Sequence, residues 1–278
     1  ADILAAAGWP KERKDGHAYF FPGKFSDRAK VYSEKFGAEK TREAMAKWYI
    51  NAIENARLCP TAQEYHNKNK DLTSFGMSKP NPKAFVDSLN VFDCSKVSDG
   101  ASTIAVVSEE GLKRCGIDKN DAVEVLGFGM AEEDITKAPE DPTVLSTTVA
   151  AVKKAMSSAG ITKEQIGTVE CHDCFTIAGI MATEAIGFAE HGKGIDFVLE
   201  GNTARDGKVP FNTTGGLVGW GHPTGATGVH QAVTIWEQLT GKAGDSQIEI
   251  KPERPYGLTI NMGGDDKSLV SIVFKKAV

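Results

Sequence analysis

The sequence predicts an α/β domain, with helices layered on a mixed sheet, behind a mainly helical leading segment. Three observations carry this. Strand-like runs alternate with helical patterns from Val91 onward. The first 90 residues hold too few strand signals to build a sheet of their own. The 29 glycines concentrate in the second half, where they close helices and open turns.

The leading segment is rich in lysine and arginine, as in "KERKDG" and "YHNKNKD". Between Ala38 and Leu58, Ala44, Trp48, Ile50 and Ile53 recur near helical spacing, and Pro60 ends that helix. The following "TSFGMSKPNPKAF" is punctuated by Pro and Gly and reads as mostly loop. After Val91, "DGASTIAVVSEEGLKRCG" offers a short small-residue run, then Val106 and Val107, then a charged helix start. Residues 122–131 are a strand candidate. Residues 143–160 form a helix with Val149, Val152, Ala155 and Met156 on one side, closed by Gly160. "IGTVECHDC" is a strand, 175–188 a buried apolar helix, and 228–241 a helix ended by Gly241. "YGLTINMGG" and "SLVSIVFKKA" are two last strands, close enough to pair antiparallel. The expected units are 1–90, 91–121 and 122–278.

With 41% hydrophobic and 25% charged residues, the composition is that of an ordinary globular chain, and the net charge of −5 gives no reason to expect nucleic acid. No apolar run approaches the roughly 20 residues of a membrane span. Five scattered cysteines (Cys59, Cys94, Cys115, Cys171, Cys174) point to reduced thiols and an intracellular compartment. The opening residues lack the basic lead and apolar core of a signal peptide.

Three stretches carry chemistry. In "VECHDCFT" (169–176), strand alternation would put Cys171 and Asp173 on one side, His172 and Cys174 on the other. A zinc clip would need both thiols on one ion and a second Cys/His pair, which the sequence does not offer at ligand spacing. A disulfide across four strand residues meets the same geometric obstacle. The remaining readings are a buried strand end or a hydrogen-bonding imidazole beside a proton-exchanging thiol.

"GGLVGWGHPTGATGVHQAV" holds six glycines between Gly215 and Gly228, with His222 among them. It matches neither the P-loop nor the dinucleotide fingerprint. Glycines let backbone approach a ligand, and Pro223 suits a helix start. A histidine at that helix end would be neutral, able to act as a base or hydrogen-bond partner, or it would be a turn residue without a role. His230 reads as packing or surface, and His17, His66 and His191 have no comparable context. "TINMGGDD" ends a strand with two glycines whose N–H groups could bind an oxyanion, although such a turn is usually only a turn.

Taken in order, strand–HDCF–helix, GHP-x-GA-x-G–helix and a strand ending in N-x-G-G resemble the thiolase superfamily, over essentially the whole chain. "FDCSKVSDGAS" is similar to the segment closing the amino-terminal thiolase half. Most thiolases carry Asn-Glu-Ala-Phe where this chain has His172-Asp173-Cys174-Phe175; the HDCF form resembles the sterol-carrier-protein type. The resemblance implies a thiolase-like layered α/β/α core with a mixed five-stranded sheet, preceded by a loop domain (1–90) that covers the active site and contacts coenzyme A. Residues 91–121 would end the amino-terminal core domain and 122–278 would be the carboxy-terminal one.

It also implies roles. His222 would activate a nucleophilic cysteine and help bind the thioester oxygen, with His172 completing that oxyanion hole. Asn261-Met262-Gly263 falls where typical thiolases have Cys-x-Gly; Asn261 replaces the acid/base cysteine and Cys174 would take over its work, tuned by a neighbouring imidazole. Gly263 would supply backbone N–H to a second oxyanion hole. Ser95 lies where a serine approaches the pantetheine arm of coenzyme A in relatives. No metal or cofactor is implied, coenzyme A being a substrate. The nucleophile is expected upstream of Ala1, in an amino-terminal half that acts as partner, and homodimers or homotetramers are expected. The expected location is a peroxisome-like organelle or mitochondrion.

The implied activity is thiolytic cleavage of 3-ketoacyl-CoA, as in fatty acid β-oxidation, or the reverse Claisen condensation. Two alternatives stand beside it. One is a thiolase-like retro-aldolase on a sterol side-chain CoA ester, a type that needs no nucleophile but usually works with a small partner protein. The other is a non-catalytic acyl-CoA-binding subunit.

Overall fold

The computed structural model describes residues 7–14 and 19–277; His17 and the first six residues lie outside them. The leading segment forms helices α1 (Pro10–Lys14), α2 (Phe20–Phe36), α3 (Ala38–Ala56) and α4 (Leu72–Gly76). The sequence signal for α3 is borne out, with Ala44, Trp48 and Ile53 buried. Helix α2 was not expected, since Pro22 and Gly23 disguise its start. Phe25, Ala29 and Tyr32 nonetheless stand at i, i+4 and i+7 and are all buried. Gly37, at φ +109°, turns the chain between the two helices.

After α5 (Glu109–Cys115) come strand β1 (Val123–Glu132), helix α6 (Ser146–Ala159), strand β2 (Ile166–Cys171), helices α7 (Thr176–Ile186), α8 (Gly194–Leu199), α9 (Gly216–Gly219) and α10 (Thr227–Thr240), and strands β3 (Tyr256–Gly263) and β4 (Ser268–Lys276). The sheet order is β1-β4-β3-β2. β2 runs parallel to β3, and β4 is antiparallel to both β3 and β1. The sheet is therefore mixed, as expected, but has four strands among the described residues rather than five. Residues 101–107 form no strand, and Ile104, Val106 and Val107 are exposed.

One face of the sheet packs on α6 and α7. Val169, Cys171, Leu258, Ile260 and Val273 share a core with Val152, Ala155, Ile177 and Ile180. The other face meets α10 through Ile235, Leu239 and Phe274. Val149 does not join the core: it is 39% exposed, and α6 turns Ala151, Val152 and Ala155 inward instead. Helix α6 lies close on β1, because a side chain at Gly129 would come within 2.0 Å of the Ala151 carbonyl oxygen.

The helical segment shares this core through Phe25, Tyr32, Met45 and Trp48. Buried ion pairs reinforce the seam. Arg28 pairs with Asp265 and donates to the Pro142 and Val144 carbonyls at 2.9 and 3.1 Å. Arg42 pairs with Asp93, which also accepts from Thr176 Oγ1 at 3.0 Å. No helix among the described residues is long and apolar enough to cross a membrane.

Candidate active site

All six residues of β2 are buried, and the strand stops at Cys171. The Asp173 N–H donates to the Cys171 carbonyl at 3.0 Å, so the chain turns there. The expected alternation through Cys174 therefore ends at Cys171, and Cys171 and Cys174 share one hydrophobic cluster. Asn212, in the left-handed region at φ 49°, holds the turn. Its Oδ1 accepts the Cys171 N–H at 2.8 Å and its Nδ2 donates to the Cys171 carbonyl at 3.2 Å. A single amide thus replaces a missing strand neighbour.

Asp173 is fully buried. It accepts from Trp48 Nε1 at 2.9 Å and from the Leu217 N–H at 2.7 Å. Burial pushes its pKa up to about 6 against the pull of these donors. Gly216, at φ +59°, has no room for a side chain, since a Cβ would meet the Asp173 carboxylate at 2.6 Å. Asp173 thus ties α3, the HDCF turn and α9 together. One residue before Cys171, buried Glu170 accepts the Thr213 N–H at 2.9 Å, and burial pushes it up to about 8.

That scaffold presents His172 to His222. The rings are perpendicular, with centroids 4.9 Å apart. Burial lowers both pKa values: His222 falls to about 4, and His172 drops further under the added influence of His222. Both are neutral at physiological pH. Helix α10 begins at Thr227 rather than at Pro223, so burial, not the helix dipole, accounts for this. The His222 N–H donates to Ser98 Oγ at 3.0 Å, and its Nδ1 lies 2.7 Å from Thr227 Oγ1. His172 Nδ1 is buried without a partner.

Cys174 is 7% exposed. Burial pushes its thiol up, aided by Asp173, Cys94 and Asp265. The Ser95 N–H donates to the Cys174 carbonyl at 2.8 Å, which ties the backbone of Ser95 to that of Cys174. Phe175 stacks on Phe25, with centroids 4.7 Å apart, and joins the core. Met262 also points into the core.

Asn261 is half-buried and donates from Nδ2 to Gln231 Oε1 at 3.2 Å. Gln231 in turn donates to the Ile260 carbonyl at 3.1 Å. A carbonyl only accepts, so both amides have a defined orientation and Asn261 Oδ1 is the atom left free. Gly263 ends β3 and is exposed, and Asp265 and Asp266 anchor the turn after it. Asp266, at φ 57°, caps α6 by accepting the Thr147 and Thr148 N–H groups, each at 3.0 Å.

Asn212, Thr227, Gln231, Asp265 and Asp266 were not singled out by sequence reasoning. The signals were a polar residue before the Thr-Thr-Gly-Gly turn, a hydroxyl five residues after His222, and two acids after a Gly-Gly turn. His230 packs on Trp220, with centroids 3.5 Å apart, and stays outside the site. His191 contacts Thr143 and Phe36, and His66 contacts Tyr65. Among the described residues, no cysteine is hydrogen-bonded to either site imidazole. Two neutral imidazoles in contact can polarise a carbonyl, and a buried, protonated thiol can deliver a proton.

Residues 129–276 match the family model described as "Thiolase C-terminal domain-like". The chain is 33% identical over 257 residues to an acetyl-CoA acetyltransferase of Methanothermobacter thermautotrophicus, covering 92% of this chain and 63% of that protein. It is 30% identical over 261 residues to sterol carrier protein 2 of Oryctolagus cuniculus, covering 90% of this chain and 44% of that protein. The chain thus spans less than two thirds of either relative. Two solved structures share the fold over 99% of the chain: an Ltp2-ChsH2(DUF35) aldolase, at TM-score 0.78 and 18% identity, and a monomeric SCP2-thiolase like protein of Mycobacterium smegmatis, at 0.71 and 15%. They cover 68% and 54% of those chains respectively. The matched half, the named relatives and the shared fold together make this chain a member of the thiolase superfamily, of the sterol-carrier-protein type.

Proposed function

We propose that the complete protein is a thiolase-type acyltransferase acting on 3-ketoacyl-CoA, or running the reverse Claisen condensation, with its nucleophilic cysteine supplied from outside residues 1–278. The observation that carries this reading is the perpendicular pair of neutral imidazoles, His172 and His222, with the buried, protonated thiol of Cys174 two residues along the chain from His172. In the cleavage direction the external thiolate adds to the C3 carbonyl, and the new oxyanion is held by the Gly263 backbone N–H. The C2–C3 bond then breaks, and the Cys174 S–H protonates C2 of the released acetyl-CoA enolate. Coenzyme A next attacks the acyl-enzyme, and the Cys174 thiolate recovers its proton from the CoA thiol. His172 and His222 hold the enolate oxygen, which is the thioester oxygen of the substrate, while Ser95 and the helical segment meet coenzyme A.

The relatives' extra length leaves room for the rest of a thiolase core. We assign it the apolar surface around Val97, Val106 and Phe128, which are 88%, 83% and 64% exposed. In the full-length enzyme, Cys174→Ala should lower 3-ketoacyl-CoA turnover by about 10²–10⁴-fold while acyl-CoA still binds. Near-normal turnover would refute the assignment. One observation favours a second reading, a retro-aldolase: that cleavage needs no nucleophile, and no described cysteine is bonded to the imidazole pair. A ketone product formed without consumption of coenzyme A would select it.

A further inference from the structure

We infer that Arg28 is a positioning residue for the Gly263–Gly264 turn, so that the backbone donor at Gly263 is held in place from helix α2. The inference rests on the proposed role of Gly263, and it names a residue of the leading segment on which that role depends.

The two glycines do not anchor the turn. Gly263 is exposed and Gly264 half-buried, and neither has a side chain to pack. Gly264 and Asp266 both take positive φ, +70° and 57°, and a non-glycine residue adopts that conformation only where its surroundings hold it there. The Lys267 N–H closes the turn on the Gly263 carbonyl at 3.2 Å. Gly264, Asp265 and Lys267 line an open cleft together with Phe20, Phe21 and Lys24 of α2, so packing alone does not fix this side.

The anchors are the next two residues, both buried acids. They are clamped in different directions. Asp266 stays within the α/β core, accepting the Thr147 and Thr148 N–H groups and the Thr148 hydroxyl, the last at 2.6 Å. Asp265 reaches across to α2. Its carboxylate pairs with Arg28 Nε, and Arg28 Nη2 lies 3.5 Å from its carbonyl oxygen. Arg28 Nη1 donates to the Pro142 and Val144 carbonyls, in the stretch that leads into α6. All three guanidinium nitrogens are thus engaged, at a residue only 2% exposed. A planar fork can serve side chain, backbone and neighbouring loop at once; a lysine ammonium, a single point charge, cannot.

The pairing also offsets a charge. Asp265 is close enough to Cys174 to help push that thiol up. An unpaired carboxylate there would oppose negative charge developing on an oxygen at Gly263, and the guanidinium counters it. Arg28 therefore sets both where the Gly263 turn sits and what field it carries.

The test uses two variants of the full-length enzyme. Arg28→Lys keeps the charge and loses the fork. Arg28→Met combined with Asp265→Asn removes both charges, so no unpaired ion is left in the core. Each should lower kcat on 3-ketoacyl-CoA by about 10–10²-fold and leave KM within about threefold, as expected when a donor used in the transition state is displaced. In the 278-residue chain, amide ¹H–¹⁵N correlation should show the Gly263 and Gly264 signals shifted in both variants. The signal of Gly167, at the opposite end of the sheet, should stay in place. Wild-type kcat in either variant overturns the inference, as does a change confined to KM, or Gly263 and Gly264 signals that do not move. The double variant decides should Arg28→Lys fail to fold. Absence of thiolase turnover in the wild-type full-length enzyme would remove the proposed function and leave the amide shifts to decide whether Arg28 holds the turn.

Discussion

Strands β1 and β2 are the two outer strands of one sheet, and they meet opposite fates. Every residue of β2 is buried, and nine of the eleven residues of α7 behind it are buried too. In β1, Val125, Phe128 and Met130 are 51%, 64% and 50% exposed, and α5 before it has no buried residue. Both strands are apolar, so hydrophobicity alone does not separate them. β2 is enclosed by this chain's own segments, with α7 on one side and Asn212, Thr213 and Trp48 supplying polar partners to the residues around it. β1 is fitted to α6 on one face, through Gly127 and Gly129, and its other face is open. The closed region is packed by this chain's own segments, and the open region leaves apolar side chains exposed.

The sharpest way to break this comparison is to open the closed side. Asp173→Ala would leave Trp48 Nε1 and the Leu217 N–H without acceptors in the core. It should cost about 3–5 kcal/mol in urea unfolding. The same change at exposed Glu110 should stay within about 0.5 kcal/mol. Equal costs at both positions would mean the HDCF turn is not the clamp described.

The next effect is smaller and depends on pH. Glu170 is raised to about 8, so the folded chain binds its proton more tightly than the unfolded chain does. The stability this contributes is full below the ordinary carboxylate range and is lost as pH rises toward 8. Glu170→Gln keeps an oxygen for Thr213 and removes the titration. Relative to wild type it should gain stability between pH 5 and pH 8, by on the order of 1–3 kcal/mol, read from thermal unfolding at both values. His222 and His230, both lowered to about 4, act in the opposite sense: their contribution falls as pH drops below about 6.5 and should be common to both proteins. A difference between variant and wild type that is flat across pH would exclude Glu170 as the titrating group.

What could be read from sequence follows from how local each signal is. The helices over 38–56, 146–159 and 227–240 have strong periodicity or a closing glycine, and the structure has them. Helix α2 was hidden because its apolar stripe sits behind a Pro-Gly pair. The HDCF turn could be located but not shaped. Alternation is a property of a paired strand, and pairing ends at Cys171, where Asn212 takes over from a position 41 residues away. For the same reason Gln231, which orients Asn261, becomes visible only when α10 is set against β3. For Cys174, burial first and then Asp173, Cys94 and Asp265 push the thiol up, and of these only Asp173 is adjacent in sequence.

The smallest expected effect is on the open side, and it sharpens the comparison most. Phe128→Thr and Met130→Thr place β-branched, strand-favouring residues in β1 while removing apolar surface. In the 278-residue chain each side chain is at least half exposed, so each substitution should change unfolding free energy by no more than about 0.5 kcal/mol. In the full-length protein, if the remaining part of a thiolase core covers this face, the same substitutions should cost about 1.5–3 kcal/mol each. The informative quantity is the difference between the two settings, because strand propensity is common to both and cancels. A near-zero cost in both would make Phe128 and Met130 ordinary exposed residues, and the asymmetry between β1 and β2 would then reflect no second body. A large cost in the short chain alone would instead mean that β1 is already packed on both faces.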